Sequence, residues 1–202
     1  MARDNPACLS KHGDQLSQWR AYGRPRGYSI GFDSEVLRGL CPLNLTFDQP
    51  SVREVCYDPA VQDGTIIDRF RFVRAQLASS GRPELAQPDL VGNIFMREAI
   101  LLAPAFKDPA FAEEAEVRLQ IFHDPTSGVS HDLKFRNGAM SLTPYLEIGL
   151  KEPPSDRMTA IREIIVGPQP NQDEALRAVR RLLARNELQD VEVKSSAVPL
   201  RP

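Results

Sequence analysis

The chain is poor in cysteine and tryptophan, has no long apolar run, and carries almost no net charge. Its three cysteines, Cys8, Cys41 and Cys56, are widely spaced and contain no CxxC pair. An odd, scattered set argues against a disulfide framework and against a zinc site. Reduced thiols packed as small hydrophobes are the expectation. No apolar run approaches the roughly 20 residues that cross a bilayer, so no membrane partner is expected. The opening MARDNPACLS lacks the apolar core of a signal peptide, and a cytoplasmic setting is expected. A net charge of −2 gives no whole-molecule attraction to nucleic acid, so such binding would need a local patch. No P-loop, GxSxG elbow or HExxH signature occurs, which removes the best-marked phosphate, hydrolase and metalloprotease sites.

What is present is ordinary for a globular protein: 202 residues, 42% hydrophobic and 26% charged, enough for one domain over residues 1–202 with a real core. ACLS and GYSIGFD read as strands, with DQLSQWRAYG as a helix between them, Asp14 at its cap and Gly23 at its end. SEVLRGL is a brief helix and SVREVCYDP a strand stopped by Asp-Pro. Helical spacing predicts a helix over residues 65–78, with Ile66, Phe70, Val73 and Leu77 on one face, and another over residues 89–102. The period then changes. EVRLQIFH alternates like a strand, and Asn137-Gly138 marks a tight hairpin. IREIIVGP is a strand buried on both faces. NQDEALRAVRRLLARNEL is a helix with Leu176, Val179 and Leu183 inward, and DVEVKSSAV closes a strand-helix-strand unit. The class is α+β: a single mixed or mainly antiparallel sheet with packed helices and a helical middle section.

Several features carry a weak chemical signal. The Gly-Pro turn in IIVGPQPNQDEA precedes a helix start, where phosphates bind. Asp173 and Glu174 in the first turn would repel one, and a structural turn is preferred. Arg177, Arg181 and Arg185, with Arg180 beside them, form either a nucleic-acid stripe or a solvated face, the second being the usual cause. His123-Asp124 and His131-Asp132 flank a polar loop and could together hold a metal, but their spacing is not diagnostic. No metal site is assigned.

Two blocks stand above this background. In LSQWRAYG, Trp19 and Tyr22 lie three apart and share a helix face. They read as a buried pair beneath Ile30 and Phe32. Arg20, Arg24 and Arg26 beside those rings suit a clamp on a phosphate or carboxylate, with a ring stacked on a base. Both the core reading and the ligand-facing reading stay open. In FAEEAEVRL, strand alternation puts Glu116 and Arg118 on one face. That pair is a structural salt bridge, or a site holding an ionised glutamate beside a substrate.

Taken in order, CLSKHGDQLSQWRAYG, GYSIGFD, VCYDP, FKDPAFAEEAEVRL and IIVGP…VKSSAVPLR resemble a large bacterial family known as a domain of unknown function, DUF2971, over nearly the whole chain. Relatives in that family carry a further segment before the CLS block, with a Tyr-rich strand. This chain starts seven residues before Cys8, so an amino-terminal portion of the family domain is expected to be missing. The family itself implies no settled activity.

The leading functional reading is a nucleotide- or NAD-handling transferase resembling the ADP-ribosyltransferases, by analogy of fold. It gives Glu116 the catalytic role, stabilising developing oxocarbenium charge. Arg20 or Arg118 would hold the diphosphate and Trp19 or Tyr22 a ring, with NAD as the cofactor class. The rival is a non-catalytic binding or regulatory module attached to a bacterial stress or phage-defence system, its arginines recognising a partner or an RNA. A metal-dependent hydrolase using His123, Asp124, His131 and Asp132 ranks third.

Overall fold

The computed structural model describes residues 7–23, 26–40, 50–81, 87–121, 134–138, 142–145, 147 and 160–199. In chain order the elements begin with β1 (Ala7–Ser10), α1 (Leu16–Gln18) running into a π-helical turn (Trp19–Gly23), β2 (Tyr28–Phe32) and α2 (Ser34–Leu40). Then come β3 (Pro50–Glu54), α3 (Pro59–Ser79), α4 (Pro88–Leu102), the 3₁₀ turns Ala103–Ala105 and Pro109–Glu114, and β4 (Glu116–Ile121). The hairpin strands β5 (Lys134–Asn137) and β6 (Leu142–Tyr145) precede β7 (Ile161–Val166), α5 (Gln172–Arg185) and β8 (Glu192–Ser195). The protein is α+β, and its described strands fall in three small sheets rather than one: β1-β4-β3, β2-β7-β8 and β5-β6.

The chain forms two compact units, one from Met1–Lys11 and Val52–Phe122, the other from His12–Ser51 and His123–Pro202. In the first, β1 pairs antiparallel with β4, setting Cys8 opposite Arg118 and Ser10 opposite Glu116. Helix α3 starts earlier than its apolar spacing predicts. The Asp58 carboxylate accepts from the amides of Ala60 and Val61, and Pro59 occupies the first turn, where its missing N–H costs nothing. Thus the Asp-Pro that ends one element also begins the next. Helices α3 and α4 meet through Phe70 and Phe95, ring centroids 4.9 Å apart, and through Arg69 Nε to Glu98 at 2.6 Å.

The second unit contains the strand-helix-strand arrangement expected from sequence. β7 lies between β2, antiparallel, and β8, parallel. Helix α5 covers this sheet with Val179 and Leu183 against Val166 and Val191, and with Ile164 and Val193 packed beside them. Asn137 pairs with Leu142, so the hairpin loop is longer than a two-residue turn.

Candidate functional site

Glu116 is the centre of an ion-pair cluster in the first unit. The last 3₁₀ turn ends at Ala115, whose φ of 44° is left-handed, a strained conformation for a residue with a Cβ. Its carbonyl accepts from the Lys11 amide at 3.0 Å. The kink starts β4 with the Glu116 side chain turned inward, and the residue is only 9% exposed. Arg118 grips Glu116 Oε2 through Nε at 3.1 Å and Nη2 at 2.6 Å, while its Nη1 donates to the Pro104 carbonyl at 2.6 Å. Lys107 Nζ stands 3.4 Å from Glu116 Oε1 and also pairs with Glu114. The Glu116 amide donates to the Tyr57 hydroxyl at 2.9 Å.

The electrostatics follow from this geometry. Burial opposes ionisation of Glu116, but the Arg118 hydrogen bonds and charge, with Lys107 behind them, outweigh it and hold the carboxyl below its ordinary value. Lys107 is raised: burial works against its charge, and the two glutamates more than compensate. Burial and the Glu116 charge push the Cys8 thiol up, so it stays a thiol rather than a thiolate at neutral pH. Cys8 is exposed and Cys56 half-buried, a departure from the packed thiols expected of the sequence, because β1 lies at the edge of its sheet.

Sequence reasoning missed Lys107, Tyr57 and Gln120 in this cluster. Gln120 follows Glu116 and Arg118 on the same face of β4. It is 5% exposed, and no partner among the described residues reaches either end of its amide. Strand alternation already signalled Gln120, whereas Lys107 and Tyr57 are joined to Glu116 only by the chain's return.

The early block lies in the second unit and separates into two parts. Trp19 is buried and Tyr22 is 70% exposed, so the expected buried pair does not form. Nor does Ile30 cover it, being exposed itself. The reason is the π-helical turn, whose i→i+5 bonding puts more residues in each turn and removes the three-apart neighbour relation of an ordinary helix. Asp14 does not cap that helix, which begins after Gln15 without a side-chain cap. Asp14 instead accepts from the Trp19 indole N–H at 2.7 Å, the Ser196 hydroxyl and the Ala197 amide at 2.7 Å. Burial resists its charge, yet these donors hold its carboxyl below the ordinary value.

Three glycines complete the seat of the indole. A Cβ at Gly23 would stand 2.6 Å from Trp19 Cε3, and one at Gly167 would stand 2.9 Å from Cζ3 and 2.8 Å from the Gly27 carbonyl oxygen. A Cβ at Gly27 would meet the Gly23 carbonyl oxygen at 2.0 Å. The Gly-Pro turn after β7 is thus a wall of the tryptophan pocket. The Gly167 amide donates to the Gly27 carbonyl at 3.0 Å, and Gln172 closes the turn onto the carbonyls of Val166 and Gly167.

Of the candidate residues, the fold brings Glu116 together with Arg118, and it sets Trp19, Arg20 and Tyr22 on one π-helical turn in the other unit. Arg20, Tyr22 and Arg26 are exposed. Arg24 and the His123, Asp124, His131 and Asp132 set lie outside the described residues. The arginines of α5 at 177, 180, 181 and 185 are exposed as well. No helix among the described residues is long and apolar enough to cross a membrane.

A protein-family model described as a protein of unknown function (DUF2971) matches residues 18–119. No curated protein and no solved structure matches the chain.

Proposed function

Because this chain belongs to the DUF2971 family of proteins of unknown function, its activity has to be read from its own residues, and we propose that it is a binding or regulatory module for a nucleotide-like anion. One observation carries this reading. The π-helical turn buries Trp19 as an anchor and leaves Arg20 and the Tyr22 ring in solvent. An exposed guanidinium and an exposed aromatic ring on one turn are the group types that bind a phosphate and a flat ring. π-Helical turns of this kind occur often at functional sites. On this reading the Glu116–Arg118–Lys107 cluster is structural, since its carboxylate and most of its donors are already satisfied by one another.

A second reading, the NAD-handling transferase that resembles ADP-ribosyltransferases, is favoured by the state of Glu116. An ionised, largely buried carboxylate is suited to stabilising oxocarbenium charge. It gives Glu116 the catalytic role and Arg118 the hold on the diphosphate.

The test is thermal denaturation with ADP, NAD and inorganic phosphate, followed by an assay for released nicotinamide. A ligand that prefers the folded chain raises the melting temperature by mass action. The module reading expects a rise with ADP or NAD that Arg20→Ala and Tyr22→Ala abolish and Glu116→Gln preserves, with no nicotinamide released. Release that Glu116→Gln abolishes would replace it with the transferase. No shift with any of the ligands removes both.

A further inference from the structure

We propose that the first unit binds a small oxyanion between Arg53 of β3 and Gln120 of β4, one that also carries a hydrogen-bond donor, as a hydrogenphosphate or a hydroxycarboxylate does. β3 and β4 are neighbours in their sheet. β3 runs into Val55, whose amide donates to the Glu116 carbonyl at 3.0 Å, and β4 runs away from Glu116, so the two strands are antiparallel. Residues opposite one another in such a pair share one side of the sheet. Two residues back from Val55 and two on from Glu116, Arg53 stands across from Arg118, with Gln120 on the diagonal. Diagonal neighbours lie about 7–8 Å apart, within reach of long side chains. The hydrogen bonds agree with this shared side. Arg53 Nη1 donates to the Leu101 carbonyl at 3.2 Å and Arg118 Nη1 to the Pro104 carbonyl at 2.6 Å, so both arginines reach the end of α4 and the turn after it.

Charge sets Arg53 apart from its neighbours. Arg118 is held by Glu116, Arg69 by Glu98 at 2.6 Å, and Lys107 by Glu114. Arg53 is half-buried, yet among the described residues it meets no carboxylate, and its one hydrogen bond is that to Leu101. This bond satisfies a carbonyl in the last turn of α4 and sets the guanidinium at the helix end that carries about half a negative charge. It uses one of five N–H donors and leaves the rest of the charge uncompensated. Burial and the nearby Arg69 charge both work against the cation and pull its pKa down. A desolvated charge without a counter-ion is costly, and a bound anion removes that cost.

Gln120 fixes the rest of the ligand. It is buried, and neither the nitrogen nor the oxygen of its amide has a partner among the described residues. A side-chain amide offers donors and an acceptor side by side. An oxyanion answers the donors, and only a ligand with an O–H or N–H of its own also fills the acceptor. The charged end of this site is the more open one, because Arg53 is half-buried and Gln120 is buried. The site lies in the first unit and shares no residue with the Trp19–Gly23 turn of the second.

The experiment is thermal denaturation of the intact chain at neutral pH with inorganic phosphate, glycolate, acetate or chloride, at constant ionic strength. A ligand that prefers the folded chain raises the midpoint by mass action. A saturable rise is expected with phosphate or with glycolate, and which of them acts identifies the source of the oxyanion. Acetate, which lacks the donor, and chloride should raise the midpoint less. Arg53→Met should abolish the rise. Gln120→Leu, which replaces the amide by an apolar group of similar size, should reduce it to the level of acetate, and it keeps the test decisive where Arg53→Met does not fold. Arg20→Ala should leave the rise intact, which separates this site from the one on the π-helical turn. No rise with either anion, a rise matched by acetate, one that survives Arg53→Met or Gln120→Leu, or one lost in Arg20→Ala would each overturn the proposal.

Discussion

A single carboxylate settles the environment of the only tryptophan. Asp14 collects three donors from two distant parts of the chain, and one of them is the indole N–H, whose burial is costly without an acceptor. Asp14→Ala is expected to lower unfolding free energy by about 2–3 kcal/mol and to shift the Trp19 emission to longer wavelength. Urea denaturation followed by that emission measures both, and Asp14→Asn, which keeps one acceptor, should lose less. None of this was legible in the sequence. An Asp two residues before an apolar helix reads as a cap, and only the return of residues 196 and 197 reveals its partners. The nearby glycines read as turns, whereas they make room for the indole.

At the scale of the element, β4 shows how alternation and strain combine. Its period put Glu116 and Arg118 on one face, and two Arg118 nitrogens meet one Glu116 oxygen. Because the folded pKa of Glu116 lies below its ordinary value of 4.5, the carboxylate contributes stability in full above the ordinary carboxylate range. That contribution is lost as pH falls through the depressed folded value. Glu116→Gln is expected to flatten the acid limb of stability against pH, below about pH 5, as read by chemical denaturation. The raised Lys107 has the opposite sign: its contribution is whole below its unfolded pKa and fades only as alkaline pH passes the folded one. Elements with a strong period were the most legible. α5 and β7 stand where the sequence placed them because each buries a face whose residues are apolar in the right rhythm. The start of α3 and the π-helical turn were not, since a capping carboxylate and a widened turn leave no hydrophobic period.

For the whole molecule, the family match and the folding units do not coincide. Residues 18–119 take in parts of both units and omit β7, α5 and β8, with which β2 and the Trp19 seat are built. A fragment ending at Phe122 would lack the central strand of the β2 sheet, the Gly167 wall and the Ser196 donor. It is expected to show a solvent-exposed Trp19 and no cooperative transition for the β2 segment, measured by fluorescence and circular dichroism against the full chain. A blue-shifted, cooperatively unfolding fragment would contradict this account.

By itself the sequence determined the α+β class, the strand-helix-strand close and the Glu116–Arg118 pairing, because these rest on periods of two and 3.6 that neighbours along the chain impose. Tertiary structure alone decided which residues serve Trp19 and which side chains surround Glu116. Those contacts join residues up to 183 apart, and no local pattern records them. They are chosen by where burial and hydrogen bonding can be satisfied together.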